Sequence, residues 1–205
     1  MDRCSLALLA PLLIASTCTH AAGSTDLSVT GLITPGACEP SLSNGGVVEH
    51  GKVGMKDLDP DQPTRLENGT LYLDVNCEAA TLFTLTTVDN RSGSSAINPT
   101  QHGLGIVNDD EKLGSVALGL FDAIADRTAV RTIMSRDDGA SWRVSSYLGH
   151  AGRTAFAAPN APDTPIDIKK LHARLTAFTT IVRASDLTLT DEIPLDGHIT
   201  VQLNY

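Results

Sequence analysis

Aromatic residues are scarce: four Phe, three Tyr and one Trp make up 4% of the 205 residues. That scarcity argues against a protein whose main work is stacking rings on sugars. Positive charge is also short, since 15 Lys and Arg face 24 Asp and Glu, the net charge is −9, and the basic residues form no cluster. A phosphate backbone would be repelled, so the expectation is no nucleic-acid partner. After residue 22 no long apolar run occurs, which leaves no candidate for a membrane-spanning helix.

Catalytic signatures are missing as well. The six histidines, at positions 20, 50, 102, 150, 172 and 198, take neither His-Glu-x-x-His nor any paired metal spacing, and they read as surface or loop residues. There is no Gly-x-Ser-x-Gly elbow, no phosphate loop and no Cys-x-x-Cys, and Gly103-Leu104-Gly105 lacks a third glycine and a following helix. The acidic runs Asp57 to Asp61 and Val107 to Glu111 lack the ligand spacing of a calcium loop and read as solvated turns. These absences point to a protein that is not an enzyme, with no catalytic residues, no cofactor and no metal.

What is present begins at the N-terminus. Leu6 to Ala15 is apolar apart from Pro11, and Ser16 to Ala22 is small and polar. This run is far shorter than the roughly 20 residues needed to span a bilayer, so residues 1–22 read as a secretory signal cleaved near Ala22. Cys4 and Cys18 leave with it. Cys38 and Cys77 then remain in a chain bound for an oxidising compartment, and a single disulfide between them follows. Closing a loop of about 40 residues stabilises a fold by roughly 4 kcal/mol in the chain-entropy model. The remaining length, about 180 residues, suits one domain with a sizeable core.

Beyond the signal, apolar and polar residues alternate with period two, interrupted by Gly, Asn, Asp and Pro. The chain therefore reads as all-β. Expected strands are Leu27 to Ile33, Gly46 to Val53, Thr70 to Cys77, Thr81 to Val88, Leu113 to Ala123, Val130 to Ser135, Ser141 to Tyr147, Leu171 to Val182, and His198 to Tyr205. Turns are expected at Asn44-Gly45-Gly46, Asn68-Gly69, Asp138-Gly139 and Asp196-Gly197, whose residues tolerate positive φ. Thr154 to Asp167, with three prolines, reads as a long surface loop.

The most informative stretch runs from Thr25 to Cys38, where Leu27, Val29, Gly31 and Ile33 share one face of an extended segment. A chain end is usually frayed and polar, so this apolar stripe belongs in its own sandwich or in another molecule. At the other end Ile199, Val201, Leu203 and Tyr205 alternate after the Asp196-Gly197 turn. Together these features resemble pilin subunits of the chaperone–usher pathway of Gram-negative bacteria. In that family an apolar N-terminal extension containing a glycine precedes the first cysteine of a disulfide, and here Gly31 stands seven residues before Cys38. The final aromatic departs from the pattern: it is the last residue here, while pilins usually place it one earlier.

The resemblance implies an incomplete immunoglobulin-like β-sandwich completed by donor-strand exchange. Residues 1–22 would be the signal, 23–36 the donor extension and 37–205 the pilin-like domain. Leu27, Val29, Gly31 and Ile33 would enter a neighbour's groove, and Ile199, Val201, Leu203 and Tyr205 would form the strand that pairs with a chaperone. Other pilin subunits, in a homo-polymer or an adaptor joint, a periplasmic chaperone and an outer-membrane usher would be the partners, and a cell-surface fimbrium the destination. The alternative is a secreted, monomeric carbohydrate-binding sandwich, lectin-like or a tip adhesin, with Trp142 or Tyr147 stacking on a sugar. A separate local match, Ser135-Arg136-Asp137-Asp138-Gly139-Ala140-Ser141-Trp142, resembles the Asp-box of sialidases, a structural hairpin turn.

Overall fold

A computed structural model describes residues 37–205. The expected signal and the expected donor extension, with Leu27, Val29, Gly31 and Ile33, lie outside the described residues.

The alternation seen in the sequence becomes a ladder of antiparallel strands. In chain order these are β1 (Cys38–Leu42), β2 (Thr64–Arg65), β3 (Gly69–Thr81), β4 (Thr84–Asp89), β5 (His102–Gly103), β6 (Ile106–Val107), β7 (Glu111–Lys112) and β8 (Gly114–Ala125). They continue as β9 (Thr128–Ala129), β10 (Arg131–Ser135), β11 (Arg143–Val144), β12 (Tyr147–Leu148), β13 (Arg153–Ala157), β14 (Ile168–Ile181) and β15 (Ile199–Asn204). Helical structure among the described residues is limited to three single-turn 3₁₀ segments.

Two sheets stack. The larger has the order β1-β3-β14-β8-β12, with β2, β5 and β9 attached at its margins, and the smaller has the order β11-β10-β13-β4-β15. β14 is the central strand of the larger sheet because it pairs along most of its length with β3 on one side and β8 on the other. Its inward residues Leu171, Ala173, Leu175 and Ala177 run alongside Leu71, Leu73 and Val75 of β3, and all are buried. From the opposite sheet Leu85 and Phe156 close the core, with the Phe83 and Phe156 rings packed edge to face at 6.3 Å. The fold is thus an all-β sandwich, as the periodicity indicates.

Cys38 and Cys77 are disulfide-bonded and face each other across the β1–β3 pair. This bond holds β1 at the end of the larger sheet's strand order.

Three expectations are corrected. Gly46 to Val53 is not a strand: Asn44, Gly45 and Gly46 all take positive φ, Gly51 does so again, and the segment runs irregularly with Val48 packed on the core. The loop expected from Thr154 to Asp167 begins instead as β13, fully paired with β10, and its Phe156 is in the core. The proline-rich part, after Ala157, is the true loop. Asp138-Gly139 has the positive φ expected of it, whereas Gly69 and Gly197 do not.

Candidate strand-acceptor groove

The edge strands β1 and β15 lie in different sheets, and between them the sandwich opens. One wall of the opening is Leu42 at the end of β1, followed by Gly46, Val48 and His50. Leu195, Gly197 and His198 lead into the other wall, which continues as Ile199 and Val201 of β15. Core residues Leu71, Val116, Leu118, Leu175 and Ala177 supply the inner surface, and Leu104 joins them at the Gly197 end. The free volume is about 210 Å³.

Burial along the smaller sheet shows how open this side is. In β4, Leu85 and Thr87 are 0% and 3% exposed. Their neighbours Leu203 and Val201 in β15 face the same core yet are only half-buried, as is Ile199. β15 pairs with β4 along one edge only, and its other edge has no ladder partner among the described residues. A strand edge and an adjoining apolar strip left uncovered together are the two features by which a sheet recruits a further strand.

Local chemistry fixes both walls. The turn into β15 is clamped by Arg91, whose Nε and Nη2 donate to the two carboxylate oxygens of Asp196 at 2.8 and 2.7 Å. That bond holds the Asp196 carboxyl below the usual carboxylate range. The Asp196 amide also donates to the Leu104 carbonyl at 3.3 Å. On the opposite wall His50 Nε2 lies 2.8 Å from Thr179 Oγ1 and ties the irregular segment to β14. At the far end the Cys38 amide donates to the Tyr205 hydroxyl at 2.8 Å, joining the start of β1 to the final residue.

The structure therefore brings Ile199 and Val201 into the lining of one groove, places Leu203 on the same inward face, and uses Tyr205 to bridge its end. Val48, His50 and Leu104 also line it; the first two come from the segment expected as a strand but irregular in the structure, and Leu104 from the short link between β5 and β6, so periodicity does not place them at the groove.

The aromatic residues considered for sugar stacking are committed elsewhere. Trp142 is half-buried over a satellite cluster of Ile133, Ala155 and Ala157 on the outer face of the smaller sheet, and its Nε1 donates to the Gly139 carbonyl at 3.1 Å. Tyr147 donates its hydroxyl to the Thr100 carbonyl at 2.8 Å. The Asp-box turn has the expected local bonding: Asp137 accepts from the hydroxyls of Ser135 and Ser141 and from the Ser141 amide. Among the described residues no three His, Cys, Asp or Glu side chains converge as a metal site, and no helix is long and apolar enough to cross a membrane.

Fold and groove define the class: an all-β sandwich with an apolar groove between its edge strands. Residues 27–113 match a family model described as "Protein of unknown function (DUF1120)". The chain is 26% identical over 243 residues to "Protein GltF" of Escherichia coli (strain K12), an alignment covering 97% of this chain and 96% of that protein. It is also 26% identical over 219 residues to "Uncharacterized protein YhcF" of the same organism, covering 89% and 90% respectively.

Proposed function

We propose that the protein is an exported structural subunit of a bacterial surface fibre, and that the groove between β1 and β15 receives the apolar ribbon 27–33 of another copy. The observation that carries this reading is the groove itself, apolar inside and bordered by the edge of β15, which has no second ladder partner among the described residues. Its dimensions suit the ribbon. Seven extended residues reach about 23 Å at roughly 3.3 Å per residue, and the six residues of β15 offer about 20 Å of edge.

Leu27, Val29 and Ile33 would each contribute about 1.5 to 3 kcal/mol if fully buried, and Gly31 would sit where the walls approach. Main-chain hydrogen bonds to the open edge would add affinity, the mode of strand addition that chaperone–pilin complementation uses. Because donor and acceptor are different surfaces, the contact is head-to-tail and yields an open filament. A periplasmic chaperone would hold β15 through Ile199, Val201, Leu203 and Tyr205 before assembly, and an outer-membrane usher would export the subunits. No catalytic role is assigned.

Unboiled denaturing gels of the secreted protein test this. A detergent-resistant ladder is expected, lost on deleting residues 23–33 and lost equally when Val201→Arg places a charge in the groove. A single monomeric band from the unaltered chain under conditions of secretion would contradict it.

A further inference from the structure

A second concavity lies on the outer face of the smaller sheet, away from the groove residues. Its free volume is about 410 Å³, within the range of small-molecule sites, and its lining is polar. Paired strands frame it: the end of β10 with Ser135, the start of β13 with Arg153, Thr86 in β4 and Asn204 at the end of β15. Asn204 Nδ2 donates to Thr86 Oγ1 at 3.0 Å, so these two side chains are already oriented. Gly152 lets the start of β13 approach β10 closely, because a Cβ there would stand 2.6 Å from the Ser135 carbonyl.

Charge separates this hollow from the rest of the molecule. The chain carries a net charge of −9, yet the lining gathers Arg136, Arg153 and His150 around a single acid, Asp138. That acid is engaged weakly: one contact of 3.3 Å to Arg153 Nε, with its own side chain 91% exposed. Arg153 pairs with Asp138, and Asp137 beside them is engaged by Ser135 and Ser141, whereas Arg136 makes no ion pair among the described residues and keeps its guanidinium available. His150 donates from Nε2 to the Pro99 carbonyl at 3.2 Å, which positions its ring at the rim.

We infer that this hollow is a binding site for a sugar acid, a hydroxyl-rich monosaccharide carrying one carboxylate. A guanidinium fork matches a carboxylate in geometry, and the one guanidinium without an ion-pair partner, with two carboxylates close by, suits a monoanion in preference to a phosphate dianion. Thr86 and Asn204 bring the neutral donors and acceptors that hydroxyl groups require. The site stands apart from the strand-acceptor reading, because none of its lining residues lines the groove.

Amide chemical-shift titration of the purified chain with glucuronate tests it, with glucose, acetate and glucose 6-phosphate as comparison probes. Glucuronate is expected to saturate, shifting residues 135–138 and 150–153, while glucose and acetate do not saturate over the same range and glucose 6-phosphate binds more weakly. Arg136→Gln, at an exposed position, is expected to weaken glucuronate by about tenfold or more, and Asp138→Asn to tighten it several-fold by releasing Arg153. Equal binding of glucose or acetate, a preference for the phosphate, or a glucuronate response unchanged in both variants would overturn the assignment. So would the lack of any saturable response to glucuronate in a chain whose spectrum shows it folded.

Discussion

His102 and Asp137 show how differently single residues announce themselves. Asp137 sits in a turn whose partners, Ser135 and Ser141, are within four residues, so the motif is readable in the sequence. Hydrogen bonds from those serines lower its pKa to about 2. The spacing around His102 suggests a surface or loop residue, and the side chain is instead 1% exposed. Its Nε2 lies 2.7 Å from Thr87 Oγ1 in one sheet, and its Nδ1 donates to the Val116 carbonyl in the other at 3.2 Å, so it pins the two sheets together. Both partners come from strands that neighbour it only after folding, and no local pattern reveals them.

Burial lowers the His102 pKa below the ordinary value of 6.5, with His150 nearby pushing the same way and the Val116 carbonyl and Asp89 opposing. The unfolded chain therefore binds a proton at higher pH than the folded one does, and stability drops as pH falls below 6.5 towards the folded value. Urea unfolding from about pH 7.5 to about pH 5 is expected to show this loss, with a shallower pH slope in His102→Asn. Parallel slopes for the two proteins would show that His102 does not supply it.

Elements are legible in proportion to their alternation. β3 and β14 bury every second residue over much of their length, and the period-two pattern locates both. β13 escapes the pattern because turn residues flank it at both ends, and because the small Ala155 and Ala157 bury on a face served by Trp142. β1 escapes it because Cys38–Leu42 contains Pro40 and is exposed through its middle; what holds it is the disulfide and its pairing with β3. Replacing both cysteines with serine is expected to cost about 2–4 kcal/mol in chemical denaturation and to raise amide exchange along β1, the strand that ends in one groove wall. A stability change below about 1 kcal/mol would mean that β1 is held by its ladder alone.

At the scale of the whole molecule, the alternating stripes at residues 27–33 and 199–205 become interpretable together because the second lies beside an open groove. Alternation alone indicates that each stripe needs burial. It does not indicate the groove, whose other wall comes from an irregular segment and whose inner surface comes from three separate strands. The sugar-acid hollow is illegible for the same reason, since Thr86, Arg136, Arg153 and Asn204 meet only across paired strands.

The most direct measurement is to titrate a synthetic peptide of residues 25–35 into a chain that lacks residues 1–33, following thermal unfolding and the amide signals of β15. Saturable binding is expected, with a raised unfolding temperature, slowed amide exchange along Ile199–Asn204, and no response in Val201→Arg. A shortened chain that ignores the peptide, and is already as stable and monomeric as the longer protein, would contradict strand acceptance by the groove.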